Sequence, residues 1–524
     1  MKINAKKLLD PLIRVISVII AFFKSLPEKA KVLWEKAKEL WIKAREFAKT
    51  KNISEKVFTI ASAAAAFVIV VVLVLICIPR SDDPIYLIPE SNIEAICDED
   101  KEQTIIIANG KNTGKVIDGD YDYIESSLDG KVMLLLADED RVLYAYYKKS
   151  LIKIDENIES CKISAEGTAV AYITSDGELV LYTLKNKKSK TICDELYSTN
   201  YSYYHISPDG KSVAYTVDDG DEFTLCVYTG GKEKVIADNA IPYGLSDKAK
   251  LVYYYNSEKS AFYVIKSGKD PVKLAGDLYS FGSVTITFNT DHTQALFIAD
   301  YKSYITDNGS EKHKISSNTI YQIGQYYISG QITTSSMYDF TEKYFIDSNY
   351  KLYYIDKKFE TTSIESNVYS LQTTVSGDII YFLKINGDLY RGKGFGGKCE
   401  EIADEVKQFE ITSDGKACYY VDDDETLYYL KKSGKSKKVA DDVYSIQITH
   451  DDRALFITDY SSNEGGTLYS SYNGKSKKLI SDEVSSFITT STCAYYNLHT
   501  DEKGVYDIYS ATKKAKFSLL LSEF

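Results

Sequence analysis

A short motif recurs along most of the chain and restricts what it can fold into. The motif is an apolar residue, Ser or Thr, any residue, Asp, Gly and Lys, and its clearest copy is ISPDGK at 206–211. Nine further copies, some of them weaker, place the Ser position at residues 127, 164, 246, 289, 339, 376, 412, 449 and 489. Neighbouring copies lie 36 to 50 residues apart, with a mean of about 40. The spacing indicates ten repeats of one supersecondary unit.

Each repeat is predicted to contain four short β-strands. In 403–440 the strands are expected at 407–412, 417–422, 426–431 and 437–440, separated by turns rich in Asp, Gly and Ser. One such unit cannot bury both of its faces, whereas units arranged around an axis bury each other. The predicted fold class is therefore all-β, a β-propeller of about ten four-stranded repeats. A β-helix is the main competitor, but its repeat is usually shorter and lacks these hairpin turns.

The repeat at 203–236 carries a more specific resemblance. Its distinctive residues are Ile206, Ser207, Pro208, Asp209, Gly210 and Lys211, followed by Leu225, Tyr228, Gly230 and Gly231. This pattern resembles the TolB-like, or PD40, family of WD40-like propeller repeats, over about residues 118–524. The Trp that often precedes the Ser in that family is absent, because both Trp of the chain lie before residue 42. The resemblance implies a propeller and a binding role, and no single activity.

Ten repeats fit either one large ring or two rings in tandem, and the sequence does not choose between them. We assign 93–524 to the propeller, and residues 93–117 are themselves strand-like, so they can complete the C-terminal repeat and close a ring. The region from residue 80 onward is acidic, with 49 Lys and Arg against 69 Asp and Glu. Nucleic acid is an unsuitable partner for it, since phosphate contacts need clustered basic residues.

An uncharged stretch of 22 residues, 57–78, precedes the repeats. At 1.5 Å per residue a helix of this length crosses the roughly 30 Å core of a bilayer. A cleaved signal peptide or a buried globular helix are the alternatives, but a signal peptide has a shorter apolar region after a shorter leader. Lys and Arg crowd its N-terminal side, which predicts one transmembrane helix with a cytoplasmic N-terminus and an extracytoplasmic propeller after a linker at 79–92.

The segment 1–56 is basic, with 14 Lys and Arg against 6 Asp and Glu. Three sevenfold units at 29–49 repeat apolar residues on one helical face, with Lys on the flanks. A short coiled coil and a helix lying on the inner leaflet both fit, and the Trp and Lys content favours the leaflet. This cytoplasmic segment is therefore predicted to be amphipathic and helical.

The sequence lacks the motifs of the common enzyme and nucleotide-binding families. The sequence has no nucleophile elbow, phosphate-binding loop or dinucleotide fingerprint. None of the five His pairs with another at metal-ligand spacing, and His292 and His450 fall in the repeat's turn, where an exposed position is expected. Acidic clusters lie at turns and are expected to be solvated. We therefore expect a protein that is not an enzyme and has no catalytic residues, no cofactor and no metal.

Two sets of residues are candidates for binding. Polar residues two positions before the Ser of the motif are expected to line a central channel, either hydrating it or holding a small ligand; they are Glu125, Lys162, His205, Thr287, Thr374, Glu410 and Gln447. The least regular repeat has an insertion at 329–336 that is expected to be exposed, either as a solvated loop or as the border of a partner site. Its candidate residues are Ser329, Gln331, Thr333, Ser335 and Ser336.

These features together predict a single-pass membrane protein that presents a propeller outside the cell. Its expected role is a protein-interaction, scaffold or ligand-binding module at a bacterial cell envelope. Binding of a cell-wall or extracellular glycan is the alternative, since the 45 Tyr offer stacking faces. A glycan-processing enzyme is a more remote alternative.

Overall fold

The structure is a computed structural model. It describes residues 93–521 apart from the gaps 99–102, 109–110, 138, 199, 201–202, 219, 221, 329–331, 375, 432–434, 450, 490–493, 499–507 and 512–516. The chain divides into two units, Met1–Asp83 and Pro84–Phe524, and all described residues belong to the second. The predicted basic segment 1–56, transmembrane helix 57–78 and linker 79–92 lie outside the described residues. Within the described ranges no helix is long and apolar enough to span a bilayer.

The described part of the chain is all-β and forms ten sheets, six of which have four strands. We number the sheets 1 to 10 in chain order. Neighbouring strands are antiparallel and follow chain order within each regular sheet, so each is a simple meander. This arrangement is consistent with the predicted propeller blades.

The strands of sheets 1 to 5 are Ile93–Asp98, Gln103–Ala108 and Lys111–Asp118 (sheet 1); Tyr121–Ser126, Val132–Ala137, Leu143–Tyr147 and Ser150–Asp155 (sheet 2); Ile158–Ile163, Ala169–Thr174, Leu179–Thr183 and Lys188–Cys193 (sheet 3); Tyr204–Ile206, Ser212–Asp218, Phe223–Thr229 and Lys232–Asp238 (sheet 4); Ala240–Leu245, Leu251–Asn256, Ala261–Lys266 and Val272–Ala275 (sheet 5). Short 3₁₀ helices lie at Glu139–Arg141, Asp247–Ala249 and Phe281–Ser283.

The strands of sheets 6 to 10 are Val284–Phe288, Gln294–Ala299, Lys302–Asp307, Lys312–Ser316 and Ile332–Thr334 (sheet 6); Ile320–Ile323, Tyr326–Tyr327, Lys343–Asp347, Lys351–Ile355 and Thr361–Ser366 (sheet 7); Val368–Thr373, Ile379–Lys384, Leu389–Lys393 and Cys399–Ala403 (sheet 8); Val406–Ile411, Ala417–Asp422, Leu427–Lys431 and Lys437–Ala440 (sheet 9); Val443–Ile448, Arg453–Ser461, Gly465–Tyr472, Lys478–Thr489, Ala494–Leu498, Ile508–Ala511 and Phe517–Leu521 (sheet 10).

Sheet 10 contains two repeats joined by one long strand. The first half of Lys478–Thr489 pairs with Gly465–Tyr472, and its second half pairs with Ala494–Leu498. The ten predicted repeats thus correspond to sheets 2 to 9 and the two halves of sheet 10, while sheet 1 stands before them.

The second strand of each regular sheet is mostly apolar because both of its faces are covered. In sheet 9, Tyr419 and Val421 pack toward sheet 10, whereas Cys418 and Tyr420 pack toward sheet 8. Side chains alternate across a strand, so a strand between two neighbours needs apolar residues at both parities. The same division places a hydrophobic cluster between every two consecutive sheets among those described.

The first strands of sheets 2, 3, 4 and 5 contact one another in chain order, as do those of sheets 8, 9 and 10, and we call the first strand of each sheet its inner strand. They are joined by side chains rather than by a backbone ladder. The Gln372 amide, on the inner strand of sheet 8, donates to the Phe409 carbonyl (3.1 Å) and accepts from the Ile411 N–H (3.1 Å) on the inner strand of sheet 9. Gln322 joins sheet 7 to Leu371 in the same manner, and Gln447 spans the two halves of sheet 10.

The recurring Ser-x-Asp-Gly-Lys motif is the turn between the inner strand and the second strand. The Ser207 hydroxyl accepts the Ser212 N–H (3.0 Å) and donates to the Asp209 carboxylate (2.8 Å), which also accepts the Lys211 N–H. The fourth residue of this turn has a positive φ in eight repeats: Gly130, Gly167, Gly210, Ala249, His292, Gly377, Gly415 and Asp452. Glycine adopts this backbone conformation at the least cost, which explains its place in the motif.

Candidate functional site

A cavity of about 470 Å³ lies beside the inner strands of sheets 2, 3 and 4 and the added strand Ile332–Thr334 of sheet 6. Its polar lining comes from side chains on four sheets, and its walls also include apolar turn residues. The lining residues are Glu125, Ser126, Leu128, Lys162, Ile163, Ala165, His205, Ile206, Pro208, His292, Ile332, Thr333 and Thr334. The structure therefore brings together three of the predicted channel residues, namely Glu125, Lys162 and His205.

Lys162 is the cation of this cavity. Its strand neighbours Cys161 and Ile163 pack in the cluster between sheets 2 and 3, and Lys162 itself is only 5% exposed. Its Nζ lies 3.3 Å from His205 Nδ1 and 5.1 Å from the centre of the Tyr204 ring. Burial lowers the pKa of Lys162 to about 7, against the opposing effect of the Glu125 charge. At neutral pH this amine is therefore close to the midpoint of its titration.

Glu125 and His205 have defined roles beside that amine. The Glu125 Oε2 accepts the backbone N–H of Ile163 at 2.8 Å, which ties the inner strand of sheet 2 to that of sheet 3. An ammonium group can only donate, so when Lys162 is protonated His205 Nδ1 accepts and the ring proton of a neutral His205 lies on Nε2. The cavity thus offers a cation, a carboxylate and an imidazole.

The insertion after sheet 6 was predicted to be exposed, but its described residues, 332–336, are half-buried or buried. Ile332–Thr334 forms a fifth strand of sheet 6, parallel to its inner strand Val284–Phe288. Ser335 is buried, and both its N–H and its hydroxyl donate to the Phe288 carbonyl. The Ser336 hydroxyl is hydrogen-bonded to the Tyr326 hydroxyl. Unpaired backbone at the inner edge of sheet 6 explains why this segment joins the sheet.

The candidate residues of that insertion are divided between the cavity and the sheet. Thr333 lines the cavity, with its hydroxyl 2.9 Å from that of Thr287. Ser335 and Ser336 are held by sheets 6 and 7 as described above. Ser329 and Gln331 lie outside the described residues.

His292 is the site residue that sequence reasoning missed, because it was expected to be an exposed turn residue. It is buried and stacks on Phe288 with ring centres 4.4 Å apart. Its Nδ1 is 3.0 Å from the Leu245 carbonyl, which can only accept, so the ring proton lies on Nδ1. Its Nε2 then accepts from the Thr334 hydroxyl at 2.9 Å. Burial lowers the pKa of His292 to about 4, so the ring is neutral at physiological pH.

Three other predicted channel residues, Thr374, Glu410 and Gln447, are not among the residues that line this cavity. Thr374 occupies the first position of its turn, where its N–H donates to the Ile379 carbonyl, so the residue two positions earlier is Gln372. Burial raises the pKa of Glu410 to about 7, while a hydrogen bond from Gln372 acts in the opposite direction. Gln447 reaches the Thr489 N–H, at 2.9 Å.

The chemistry that the arrangement supports is binding. Within the described residues, no group of three or more His, Cys, Asp and Glu is placed to hold a metal ion. The cavity presents one amine, one carboxylate and the hydroxyls of Thr333 and Thr334 between apolar walls. Small-molecule sites commonly combine a few such polar groups with apolar lining.

No protein-family model matches the chain, and no curated protein sequence matches it. Solved structures of low similarity do match. The tricorn protease is 11% identical with a TM-score of 0.32, over 82% of this chain and 58% of its own length. An oligogalacturonate lyase from Vibrio parahaemolyticus is 11% identical with a TM-score of 0.29, over 65% of this chain and 96% of its own. A eukaryotic initiation factor is 12% identical with a TM-score of 0.35, over 72% and 94%. No activity is inferred from likenesses this slight.

Proposed function

We propose that this chain is a single-pass membrane protein whose β-domain, a propeller with TolB-like or PD40 repeats, binds a ligand or partner outside the cytoplasm. The observation that carries the binding role is the cavity at the inner strands, where a buried lysine, a carboxylate and two threonine hydroxyls converge. The membrane anchor and its orientation are supported by the uncharged stretch 57–78 and the basic residues before it. The role is that of an interaction, scaffold or ligand-binding module at a bacterial envelope, and not that of an enzyme.

The orientation has a direct test. An epitope tag at the C-terminus should be accessible to antibody, and residues beyond about 85 to protease, in intact cells or in spheroplasts once a wall or outer membrane is removed. A tag at the N-terminus, the matched control, should stay protected until the membrane is opened. A C-terminal tag that is protected under conditions where an external marker is digested would contradict the proposal.

A glycan ligand is the second candidate, and exposed tyrosines favour it. Tyr369 and Tyr444 are the second residues of the inner strands of sheets 8 and 10, and they are 59% and 58% exposed. The Tyr444 ring stacks on that of Tyr460, with centres 4.2 Å apart. Rings with one open face and a polar edge suit a sugar, which has an apolar face and hydroxyl groups.

The double variant Tyr369→Ala and Tyr444→Ala separates the two candidates. If wall or extracellular glycans bind there, capture on a glycan array should fall at least about tenfold, which is 1.4 kcal/mol, because each ring loses its stacking face. The melting temperature should be unchanged, since both rings are exposed. Tyr301→Ala, another exposed tyrosine, is the control. A protein that captures no glycan, or captures it equally well as the double variant, would remove this candidate.

A further inference from the structure

We propose that the cavity beside the inner strands of sheets 2, 3 and 4 and the added strand of sheet 6 binds a small organic molecule through an oxyanion, a carboxylate or a phosphate, that contacts the Lys162 amine. This inference rests on the proposed function in one respect, namely that the cavity is a binding site. It adds the chemical class of the ligand and the residue that selects it.

The cavity has the size and lining for such a ligand. About 470 Å³ falls within the roughly 300–1,000 Å³ of ordinary small-molecule sites. The turn residues Leu128, Ala165 and Pro208 supply apolar walls at one end, and Ile332 supplies another. The Thr333 and Thr334 hydroxyls lie on the added strand of sheet 6. A compact acid with hydroxyl or apolar substituents matches this combination of walls and donors.

Lys162 is the cation that an oxyanion in the cavity would contact, and Glu125 is the negative charge with which that oxyanion would compete. Glu125 from sheet 2 is the opposite charge that acts on it, and one oxygen of that carboxylate already accepts the Ile163 N–H. From sheet 4 come the His205 imidazole and the face of Tyr204. The other titratable groups nearby are His292 from sheet 6, Cys161 on the same strand and Arg141, which interacts with Cys161.

The uncharged partners of the amine leave Glu125 as its opposite charge. His292 is neutral, and burial keeps Cys161 protonated because its pKa is raised. An oxyanion in contact with the Lys162 Nζ would form a charge-assisted hydrogen bond in a site of low dielectric, where such bonds are strongest.

Binding of an oxyanion should be linked to proton uptake. Burial holds the pKa of Lys162 at about 7 in the free protein, and a bound anion would raise it toward the ordinary value of a lysine. The bound form then carries more protons than the free form above pH 7. The affinity for the oxyanion should therefore be highest below pH 7, where Lys162 is already protonated in the free protein. Above pH 7 it should fall by as much as about tenfold per pH unit.

The test is calorimetric titration of the purified full-length protein in detergent with acetate, citrate and inorganic phosphate, at about pH 6 and about pH 8. At least one of these probes should bind more tightly at the lower pH. The comparison of citrate with phosphate distinguishes a carboxylate site from a phosphate site.

Two substitutions are expected to change the affinity for the anionic probes in opposite directions. Lys162→Met should weaken binding at least about tenfold, since it removes the cation. Glu125→Gln should strengthen binding, because it removes the competing negative charge while its amide oxygen can still accept the Ile163 N–H. Lys131→Met is the matched control, because its side chain is 75% exposed, and it should change nothing.

No heat with any of the three probes at either pH would overturn the inference, as would equal binding by Lys162→Met. If Lys162→Met fails to fold, weaker rather than stronger binding by Glu125→Gln overturns it independently. An inaccessible C-terminal tag would defeat the proposed extracytoplasmic role while leaving anion binding intact. Capture of an envelope partner without anion binding would defeat only this inference.

Discussion

Replacing Gln372 with Ala is expected to reduce the free energy of unfolding by about 2–4 kcal/mol. The amide of Gln372 makes two hydrogen bonds to the backbone of sheet 9, one to the Phe409 carbonyl and one from the Ile411 N–H. Phe409 and Ile411 are both buried, so truncation leaves a donor and an acceptor without a replacement from water. Because no backbone ladder joins these inner strands, the loss falls on the interface between two sheets.

The measurement is a urea unfolding curve of the full chain followed by circular dichroism, with midpoints compared at constant slope. Gln408→Ala, on the inner strand of sheet 9, is the control, because its amide makes one exposed hydrogen bond to the Tyr444 carbonyl. This control substitution should lower the free energy of unfolding by less than about 1 kcal/mol. A Gln372→Ala midpoint equal to that of Gln408→Ala would show that the amide does not hold the sheets together.

The repeating architecture could be predicted from the sequence because it depends on local signals. The strands predicted at 417–422 and 437–440 coincide with Ala417–Asp422 and Lys437–Ala440 of sheet 9. Apolar residues at both parities, followed by a turn that needs a positive φ, are written within a few adjacent positions. The same local pattern recurs about every 40 residues, so each copy supports the assignment of the others.

The features that were missed depend on partners far away in the chain. The strand Ile332–Thr334 pairs with an inner strand more than 40 residues earlier in the chain. Its three residues, Ile-Thr-Thr, form too short a pattern to predict which strand it pairs with. His292 occupies the turn position where most repeats have Gly, and its burial comes from the preceding sheet and from that same added strand. The turn of sheet 8 begins at Thr374 and not at Ser376, as the sequence motif had indicated. The polar residue two positions before this turn is therefore Gln372 and not Thr374.

The positive φ at the fourth position is one reason for glycine in the repeated turn, and the contact between neighbouring sheets is a second. Gly210 has φ +68°, and a Cβ built on it would lie 2.4 Å from the Thr168 Oγ1 and 2.9 Å from the Ala169 Cβ of the preceding sheet. Gly167 and Gly415 meet the turns before them in the same way. The residue is small because the turns of neighbouring sheets touch at this point.

Gly210→Ala should therefore destabilise the protein by about 2–5 kcal/mol, combining left-handed strain of about 1–2 kcal/mol with overpacking of about 1–3 kcal/mol. The Thr168 hydroxyl cannot simply turn away, because it donates to the Asp209 carbonyl at 2.8 Å. Gly230→Ala is the matched control, with φ +58° and no atom within 4 Å of its added Cβ, and it should cost only the strain. Thermal unfolding of the full chain separates the two contributions, since the difference between the variants measures the contact between sheets. Equal losses for Gly210→Ala and Gly230→Ala would mean that backbone conformation alone selects glycine in this turn.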